Sequence, residues 1–511
     1  MRHTLAWALA AGALFAGASH AEEPVEAETV ETAPAEPLLV LDLELAQRRA
    51  LAQHPTLAAV AEVVAQAQAK ARQARSLYLP QISAQYTWSQ TDLSDDQKDK
   101  LDEAVDTIGD QLGRARIQLR EAPTPQNQSQ SLELRQGLRH LDRYISDQRD
   151  ELDGGIERSQ LGITAGWLVF DGFARKHRNA MARYGVQESQ AAEQEARRLM
   201  ADAVARAYYG LLLSRENIAV SEANEEFNQR LLKDAEARYD VGKGSYSDVL
   251  NFRVAVRGAQ TMRLKAEADT RAAEVALATL MAEPDAKLRP DMTVPPLAAE
   301  TADDLVPPDT ESLIAYALDH RPDLLQGERR ADRAEAARKA SAASYSPEVA
   351  VFGQVQSRGI NNNGIDPDRF SPTVGVNVNY DLYTGGRRRA EVAEARHAER
   401  EAELKQEALE LTVVSDVRRA ALEVIAAQEQ LTLQRLSLGD VQENRDLLTK
   451  AYDAGKAPLA LLNQAQRDFA AAQAQAALAL ASLRLALEEL DTATGASLAN
   501  LSAEAAEPEA E

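Results

Sequence analysis

Four short segments of the chain alternate between apolar and polar residues. In Gln81–Trp88 the even positions are apolar or aromatic, and in Leu161–Trp167 the odd positions are. Val349–Gln356 keeps one apolar face although Phe352 interrupts the other, and Val374–Leu382 alternates without a break. A period of two predicts four β-strands, each with one apolar face.

Two long helical stretches follow these strand pairs. Residues 174–238 contain no proline, and residues 387–453 contain no proline and one glycine, Gly439. Apolar residues of the second stretch recur every three or four positions, which predicts a coiled-coil seam. The seam residues are Leu404, Ala408, Leu411, Val414, Val417, Ala421 and Val424.

The chain contains two copies of one unit. Residues 50–57 (ALAQHPTL) align with 317–324 (ALDHRPDL) at an offset of 267 residues. Residues 239–243 (YDVGK) align with 452–456 (YDAGK) at an offset of 213, so the first copy carries an insertion of 54 residues. The pattern of each unit predicts a helix, two strands, a long helix and a returning helix, in that order. The glycines at the paired turns suit a left-handed backbone.

The chain has six predicted parts. They are a signal peptide (1–21), an acidic disordered segment (22–39), repeat 1 (40–283), a proline-rich linker (284–310), repeat 2 (311–500) and an acidic tail (501–511). Repeat 1 has strands near 80–89 and 160–170, a helical-hairpin insertion at 92–155 and a long helical hairpin at 174–282. Repeat 2 has strands near 347–356 and 372–383 and a long hairpin at 387–490.

The start of the chain predicts export from the cytoplasm. A basic Met1-Arg2-His3 precedes an apolar run to Ala18, and small residues at Ser19 and Ala21 suit cleavage after Ala21. The run is shorter than the roughly 20 residues of a spanning helix. No later segment of that length is free of charge, so we expect no membrane-spanning helix in the mature protein.

Composition excludes several classes of protein. The chain has 57 basic and 80 acidic residues, a formal charge of −23, which argues against a nucleic-acid partner. The absence of cysteine excludes disulfides, thiolate metal sites and a cysteine nucleophile. The seven histidines do not stand at metal-ligand spacing, and phosphate-binding and nucleophile-elbow motifs are missing. We therefore expect no enzyme activity, no metal and no cofactor.

The alternating strands fit two structures. In a soluble protein their apolar faces pack on a core; in an outer-membrane barrel they face lipid. Aromatic residues near strand ends, Trp88, Trp167 and Tyr380 among them, favour the barrel because aromatic belts lie at membrane interfaces. Four strands cannot close a barrel, and an open edge in lipid is costly, so several chains would have to build it together.

The sequence resembles the TolC family of outer-membrane efflux and type I secretion channels. The resemblance covers about 40–500 apart from the insertion. It rests on the two-fold repeat, the His-Pro and Arg-Pro openings, the Tyr-x-Pro entries into strands and the Tyr-x-x-Gly-Lys turns. It implies a mainly α fold with a β-barrel part: a homotrimer with a 12-stranded barrel in the outer membrane and a periplasmic α-barrel of long helices. A periplasmic adaptor and an inner-membrane pump are the implied partners.

The resemblance also implies a periplasmic gate at the hairpin tips. Ser247 and Asp248 stand where a hydroxyl and an aspartate hold the family's entrance closed, and Tyr452 could bond Asp248 of a neighbouring subunit. Leu461 and Gln464 replace the family's aspartate ring, and Ala457 replaces an arginine. The implied adaptor contacts are the tip residues Gly242, Lys243, Gly455 and Lys456. Alternatively, Asp248 is a solvated helix residue and the leucines belong to the seam.

Three questions stay open on the sequence alone. A soluble periplasmic coiled-coil adaptor or structural protein is the alternative to the channel, and efflux cannot be told from type I secretion. The basic runs 175–178 and 387–389 suggest lipid-headgroup contacts, or a solvated helix start. The insertion either caps the outer mouth or is a loop decoration; Ser94 with Gln97 predicts a capping box at its start.

Overall fold

The computed structural model describes residues 39–92, 94–121, 156–360 and 370–497, with isolated positions between 136 and 143 and residue 501. The expected signal peptide, nearly all of the acidic segments at both ends, and the break at Pro123-Thr124-Pro125 lie outside the described residues.

The first repeat contains five α-helices and three strands among its described residues. They are β1 Leu39–Val40, α1 Leu43–Gln53, α2 Pro55–Ser76, β2 Gln81–Thr91, α3 Asp95–Glu121, β3 Ile156–Phe170, α4 Ala174–Asp240 and α5 Tyr246–Leu280. The N–H of Ser94 donates to Oε1 of Gln97 at 3.2 Å, which confirms this half of the capping box that begins α3.

The linker and the second repeat follow the same order without a counterpart of α3 in the described residues. The elements are β4 Met292–Thr293, α6 Thr310–His320, α7 Pro322–Ala342, β5 Glu348–Ile360, β6 Ser371–Asn379, α8 Arg387–Asp453 and α9 Leu459–Thr494. The linker is mostly extended, and its β4 pairs in parallel with β1. The long helices α4 and α8 each have 67 residues, about 100 Å at 1.5 Å per residue.

The four long strands form one antiparallel sheet in the order β2-β3-β5-β6. The register sets Ile82 opposite Ala165 and Ile163 opposite Val355. Because directly opposed residues share a face, the apolar positions of all four strands lie on one side. This apolar face is solvent-accessible in a single chain: Ile82 is 74% and Val374 80% exposed. The four strands and the long helices of the expected fold are thus confirmed.

The opposite face of the sheet carries Gln, Ser, Thr, Asn and Gly. The amide of Gln354 donates to Oε1 of Gln356 at 3.0 Å. Phe352, which interrupts the alternation, lies over Gly375 of the neighbouring strand: a Cβ at Gly375 would come within 2.7 Å of its ring. The glycine therefore makes room for the one aromatic ring that the described part of this polar face carries.

The outer edges of the sheet are open. In the described part of the chain, β2 pairs only with β3 and β6 only with β5, so both outer edges keep free backbone donors and acceptors. A further strand from another molecule can add at either edge.

A buried arginine fixes the junction between β3 and α4. The Arg175 side chain is 8% exposed, and its Nε lies 3.2 Å from Oδ2 of Asp171. Its guanidinium also donates to the carbonyls of Leu77, Leu168 and Val169. The expectation that this basic run meets lipid headgroups or solvent is wrong for Arg175, because its charge is satisfied inside the protein.

Arg388 takes the equivalent place in repeat 2 with fewer contacts. Its Nη2 lies 3.3 Å from Oδ2 of Asp381, and its guanidinium lies 5.5 Å from the ring centroid of Tyr380. Arg388 is 9% exposed, so the expectation of a lipid-headgroup or solvent contact is wrong for Arg388 as well. Its neighbours Arg387 and Arg389 are exposed.

The turn before α4 contains a glycine that no other residue can replace without strain. Gly172 has φ +64°, and a Cβ there would lie 2.8 Å from the carbonyl oxygen of Ala343 and 2.4 Å from Cβ of Ser346. Its equivalent Gly385 has φ +63° with no atom within 4 Å of such a Cβ. The first repeat is thus packed against the strand entry of the second at Gly172.

We expect Gly172→Ala to destabilise the protein more than Gly385→Ala. The left-handed backbone costs both variants about 1 kcal/mol, and the clash with Ala343 and Ser346 adds about 1–2 kcal/mol at Gly172 alone. Thermal unfolding of both variants in detergent measures the difference. Equal losses of stability would contradict the packing at Gly172.

The helices pack through four apolar clusters. One surrounds the parallel β1–β4 pair and includes Leu41, Leu211 and Met281; another joins α8 to α9 through Val424 and Leu483. The predicted seam is correct at Val417, Ala421 and Val424, which are buried. Leu404 and Leu411 are 48% and 73% exposed, so the predicted seam is not buried within the single chain at these two positions.

Helix α9 is long and apolar enough to cross a membrane, judged by length and composition alone; it is the single described helix of which this is true. Such a signal is weak, because a core helix passes the same criterion. The helix packs along α8, with Leu480, Leu483 and Leu490 in their shared cluster.

A carboxyl group is desolvated where α4, α9 and the linker meet. Burial raises the pKa of Glu488 to about 7, with a further contribution from Asp491 and Asp202 and an opposing one from Arg484. An unfolded glutamate titrates near 4.3. The folded state therefore holds this proton more tightly, and its stability falls as the pH rises from about 4.3 to 7.

We expect Glu488→Gln to stabilise the protein, and more so at alkaline pH. The gain is about 1–2 kcal/mol at pH 8, discounted for partial exposure, and about half as much at pH 5.5. Melting temperatures at the two pH values test this, with Glu443→Gln on the exposed face of α8 as the control. A gain independent of pH would rule out the titration of Glu488 as its cause.

Candidate gate at the helical hairpin tips

The two hairpins turn in the same way. Gly242 and Gly455 have φ +68° and +69°, which confirms the left-handed backbone expected at both. After each glycine, the N–H of Lys243 donates to the carbonyl of Arg238, and that of Lys456 to Ala451, both at 2.8 Å. Both lysines are exposed, so each tip presents one lysine cation to solvent.

An aromatic contact joins the two tips within one chain. Tyr452, from the end of α8, is 9% exposed and lies in a cluster with residues of α4, α5 and α9. Its ring centroid is 6.5 Å from that of Phe252 in an edge-to-face arrangement. The cluster consists of Leu231, Ala235, Val249, Phe252, Tyr452 and Leu462.

Arg238 closes this contact from the solvent side. Its guanidinium carbon lies 4.8 Å from the ring centroid of Tyr452, and its Nη2 lies 3.4 Å from Oδ1 of Asp453. The first hairpin therefore holds the second by a cation–π contact and an ion pair. No sequence pattern indicates this role of Arg238, because its ion pair joins residues 215 positions apart.

The tyrosine keeps its proton in this environment. Burial raises the pKa of Tyr452, and the carboxylates of Asp248 and Asp453 act in the same direction while Arg238 opposes them. The phenol is thus neutral at physiological pH and available as a hydrogen-bond donor. Asp248 is near enough for this electrostatic effect within the same chain.

The other expected gate residues lie on the surface of a single chain. Ser247 is exposed and Asp248 half-buried in the first turn of α5, where Oγ of Ser245 accepts the N–H of Ser247 at 3.1 Å. Leu461 and Gln464 are both exposed on α9, three residues apart and hence on one face. The structure brings Tyr452 into the core of the tips and leaves Ser247, Leu461 and Gln464 outside it.

A polar layer lies beyond the aromatic cluster, farther from the tips. Nε of Arg263 donates to Oε2 of Glu225 at 2.7 Å, and the amide of Gln260 donates to Oε1 of the same glutamate at 3.2 Å. The amide of Gln466 on α9 donates to Oδ1 of Asn224 on α4 at 3.2 Å. The hydrogen bond from Arg263 lowers the pKa of Glu225. Such a layer fixes the register of α9 against α4 and α5.

Comparison with known proteins identifies the architecture. The model of the family described as outer membrane efflux protein matches residues 126–283 and 313–496, which is most of both repeats. The chain belongs to the outer membrane efflux protein family. Its resemblance to TolC-type proteins is confirmed, and it is an outer-membrane protein with a periplasmic portion.

Individual relatives agree with this assignment. The outer membrane efflux protein BepC of Brucella suis is 26% identical over 292 residues, 57% of this chain. The chain spans 60% of the length of that curated relative. A membrane protein of Pseudomonas aeruginosa superposes with a TM-score of 0.69 at 16% identity, covering 92% of this chain and 99% of that one. The CmeC outer membrane channel of Campylobacter jejuni superposes at 0.68 with 13% identity, covering 91% and 89%. These structures show the shared fold.

Two strands of this efflux-family protein have the length of a transmembrane strand, and β3 with 15 residues and β5 with 13 are longer. Strand β2 has 11 residues and β6 has nine, within the roughly 9–11 that a tilted strand needs to cross a bilayer. Trp88 and Trp167 are 55% and 47% exposed on the apolar face, near opposite ends of the sheet. Tyr380, 49% exposed, follows β6 at the same end as Trp167.

Proposed function

We propose that this efflux-family protein is one subunit of a homotrimeric outer-membrane channel that serves as the exit duct of a tripartite efflux pump or type I secretion system. It receives substrates from an inner-membrane transporter through a periplasmic adaptor and has no enzyme activity. The four strands of each subunit contribute to one 12-stranded barrel, and α4, α5, α8 and α9 contribute to a periplasmic conduit.

The four-stranded sheet is the main observation that supports this proposal. Its apolar face is exposed and its edges are open in the described part of the chain, and it runs directly into helices of about 100 Å. In lipid the apolar face is stable, but the edges have to pair, because each unsatisfied backbone group costs several kcal/mol there. Pairing of β2 with β6 of the next copy satisfies both edges.

The soluble adaptor or structural protein is the alternative. It requires a cover for the apolar face, since an exposed patch of this size is rare on soluble monomers. In the described residues no helix packs on that face, where Val376 and Val378 are 64% and 63% exposed. The family match supports the channel rather than this alternative.

We further propose that the hairpin tips form the periplasmic gate and the adaptor contact. Ser247, Asp248, Tyr452, Leu461 and Gln464 line or brace the constriction, and Gly242, Lys243, Gly455 and Lys456 meet the adaptor. Because Leu461 and Gln464 carry no charge, three copies of this face make a constriction with weak affinity for cations. Trp88, Trp167 and Tyr380 lie at the membrane interfaces.

Native mass and conductance test the channel. Protein extracted from isolated outer membranes in mild detergent is expected to have the mass of a trimer and to conduct ions across a planar bilayer. Release by osmotic shock without detergent, or a monomer in mild detergent, would contradict the proposal and favour the soluble alternative. Deletion of the gene, followed by drug-sensitivity and secretome measurements, separates efflux from protein secretion.

A further inference from the structure

A pocket lies where the sheet meets the helices of repeat 1. It occupies about 380 Å³ between the end of α2 and the start of α4. Its lining is mainly apolar in surface but carries two arginines. The lining residues are Arg72, Arg75, Ser76, Tyr78, Leu79 and Asn179.

The two arginines of the pocket have no acidic partner in the described part of the chain. Both are exposed, and no carboxylate among the described residues forms an ion pair with Arg72 or Arg75. The helix dipole favours a cation such as Arg75 in the last turn of α2. It does not account for Arg72 or for the cavity that both side chains border.

The second repeat lacks this arrangement. At the equivalent positions Lys339 replaces Arg72 and Ala342 replaces Arg75. Nζ of Lys339 lies 2.6 Å from Oε1 of Glu335, so its charge is already paired. Among the described residues, this pair of cations without an acidic partner is therefore a property of repeat 1 and not a requirement of the fold.

The position of the pocket relates it to the membrane. Trp167 lies on the apolar face of the sheet, and its Nε1 donates to the carbonyl of Tyr78 at 3.0 Å. Tyr78 and Leu79 line the pocket, and Leu79 is 64% exposed. The pocket thus opens beside the helical end of the apolar face, where lipid headgroups of the periplasmic leaflet would lie.

We propose that this pocket binds the phosphate headgroup of an anionic membrane lipid, with Arg72 and Arg75 contacting the phosphate and Tyr78 and Leu79 contacting the first acyl carbons. The proposal rests on the proposed function in one respect, that the sheet lies in the outer membrane. Arginine suits phosphate because its planar fork donates two parallel hydrogen bonds. A lipid fits better than a free anion because most of the pocket wall is apolar.

Lipid binding to the intact protein in detergent tests the site. Native mass spectrometry with phosphatidylglycerol as the probe is expected to show about thirtyfold weaker binding to Arg72→Gln/Arg75→Gln than to the wild type, the loss expected for two cationic contacts. The matched control is Arg257→Gln/Arg467→Gln, which removes two exposed arginines from the other end of the helices and leaves binding unchanged.

A second variant guards against a folding defect. Ser76→Phe fills the pocket and keeps both arginines, and we expect it to weaken binding by a similar factor. Equal lipid binding by wild type and both pocket variants overturns the proposal, as does an equal loss in the control. Displacement of the lipid by millimolar inorganic phosphate would assign the site to a free anion and overturn the lipid assignment. Conductance is measured separately, so a channel without this site remains distinguishable from a protein that is not a channel.

Discussion

Replacement of Arg175 by methionine is expected to lower the free energy of unfolding by about 3–5 kcal/mol. This is the range for removal of one partner from a buried ion pair, because the other charge stays buried without a counterion. Here Asp171 would keep its place, 4% exposed, and the carbonyls of Leu77, Leu168 and Val169 would also lose their donor. Thermal unfolding of the detergent-solubilised protein, followed by circular dichroism, measures the loss.

Three further variants make this result specific. Lys176→Met removes an exposed charge one residue away and is expected to change stability by less than about 0.5 kcal/mol. Asp171→Asn in the Arg175→Met background removes the orphaned charge and is expected to restore part of the loss. Arg388→Met is expected to cost less than Arg175→Met, because Arg388 has an ion pair to the half-exposed Asp381 and fewer backbone acceptors. Equal effects of Arg175→Met and Lys176→Met would mean that the buried network does not hold the junction.

Replacement of Arg238 by methionine is expected to open the proposed gate. A cation–π contact and an exposed ion pair together contribute about 1 kcal/mol in each chain. If the three hairpin pairs of a trimer move together, the closed state loses about 3 kcal/mol. That loss shifts the ratio of closed to open channels more than a hundredfold. The open probability in single-channel recordings measures this shift.

Two single substitutions separate the two contacts of Arg238. Asp453→Asn removes the ion pair alone, and Tyr452→Leu removes the ring face while keeping an apolar side chain. Both are expected to raise the open probability less than Arg238→Met does. Arg230→Met, an exposed arginine of the same helix, is the control. Wild-type recordings from Arg238→Met would show that the two hairpins are not held together by this contact.

The sequence predicts elements well where the pattern is local. The strand alternation, the 67-residue helices and the left-handed glycines at 242 and 455 all follow from residues close together in the chain. The seam on α8 is only partly predictable, because periodicity identifies an apolar face without identifying its partner. Leu411 continues the pattern of Val417 and Val424, yet it is exposed in the single chain.

The candidate site shows the same limit. The turns at the tips are visible in the sequence, whereas the contact of Arg238 with Tyr452 depends on how two hairpins meet. Arg175 is misread for a related reason: a basic residue in the first turn of a helix suggests a solvated or lipid-facing charge. Its true surroundings are carbonyls at the end of β3 and before β2, which only the folded junction brings together.

The open edges of the sheet also bear on biogenesis. A single copy enters the bilayer only at a large cost in free energy, because the backbone N–H and C=O groups on the outer edges of β2 and β6 would lie unpaired in hydrocarbon. For the proposed trimer, membrane insertion and association of subunits are therefore one event, and its rate depends steeply on the concentration of folded subunits in the periplasm. While they wait, the same edges favour mispairing with any exposed strand. Assembly of the proposed trimer consequently requires chaperones that protect each subunit until three are present.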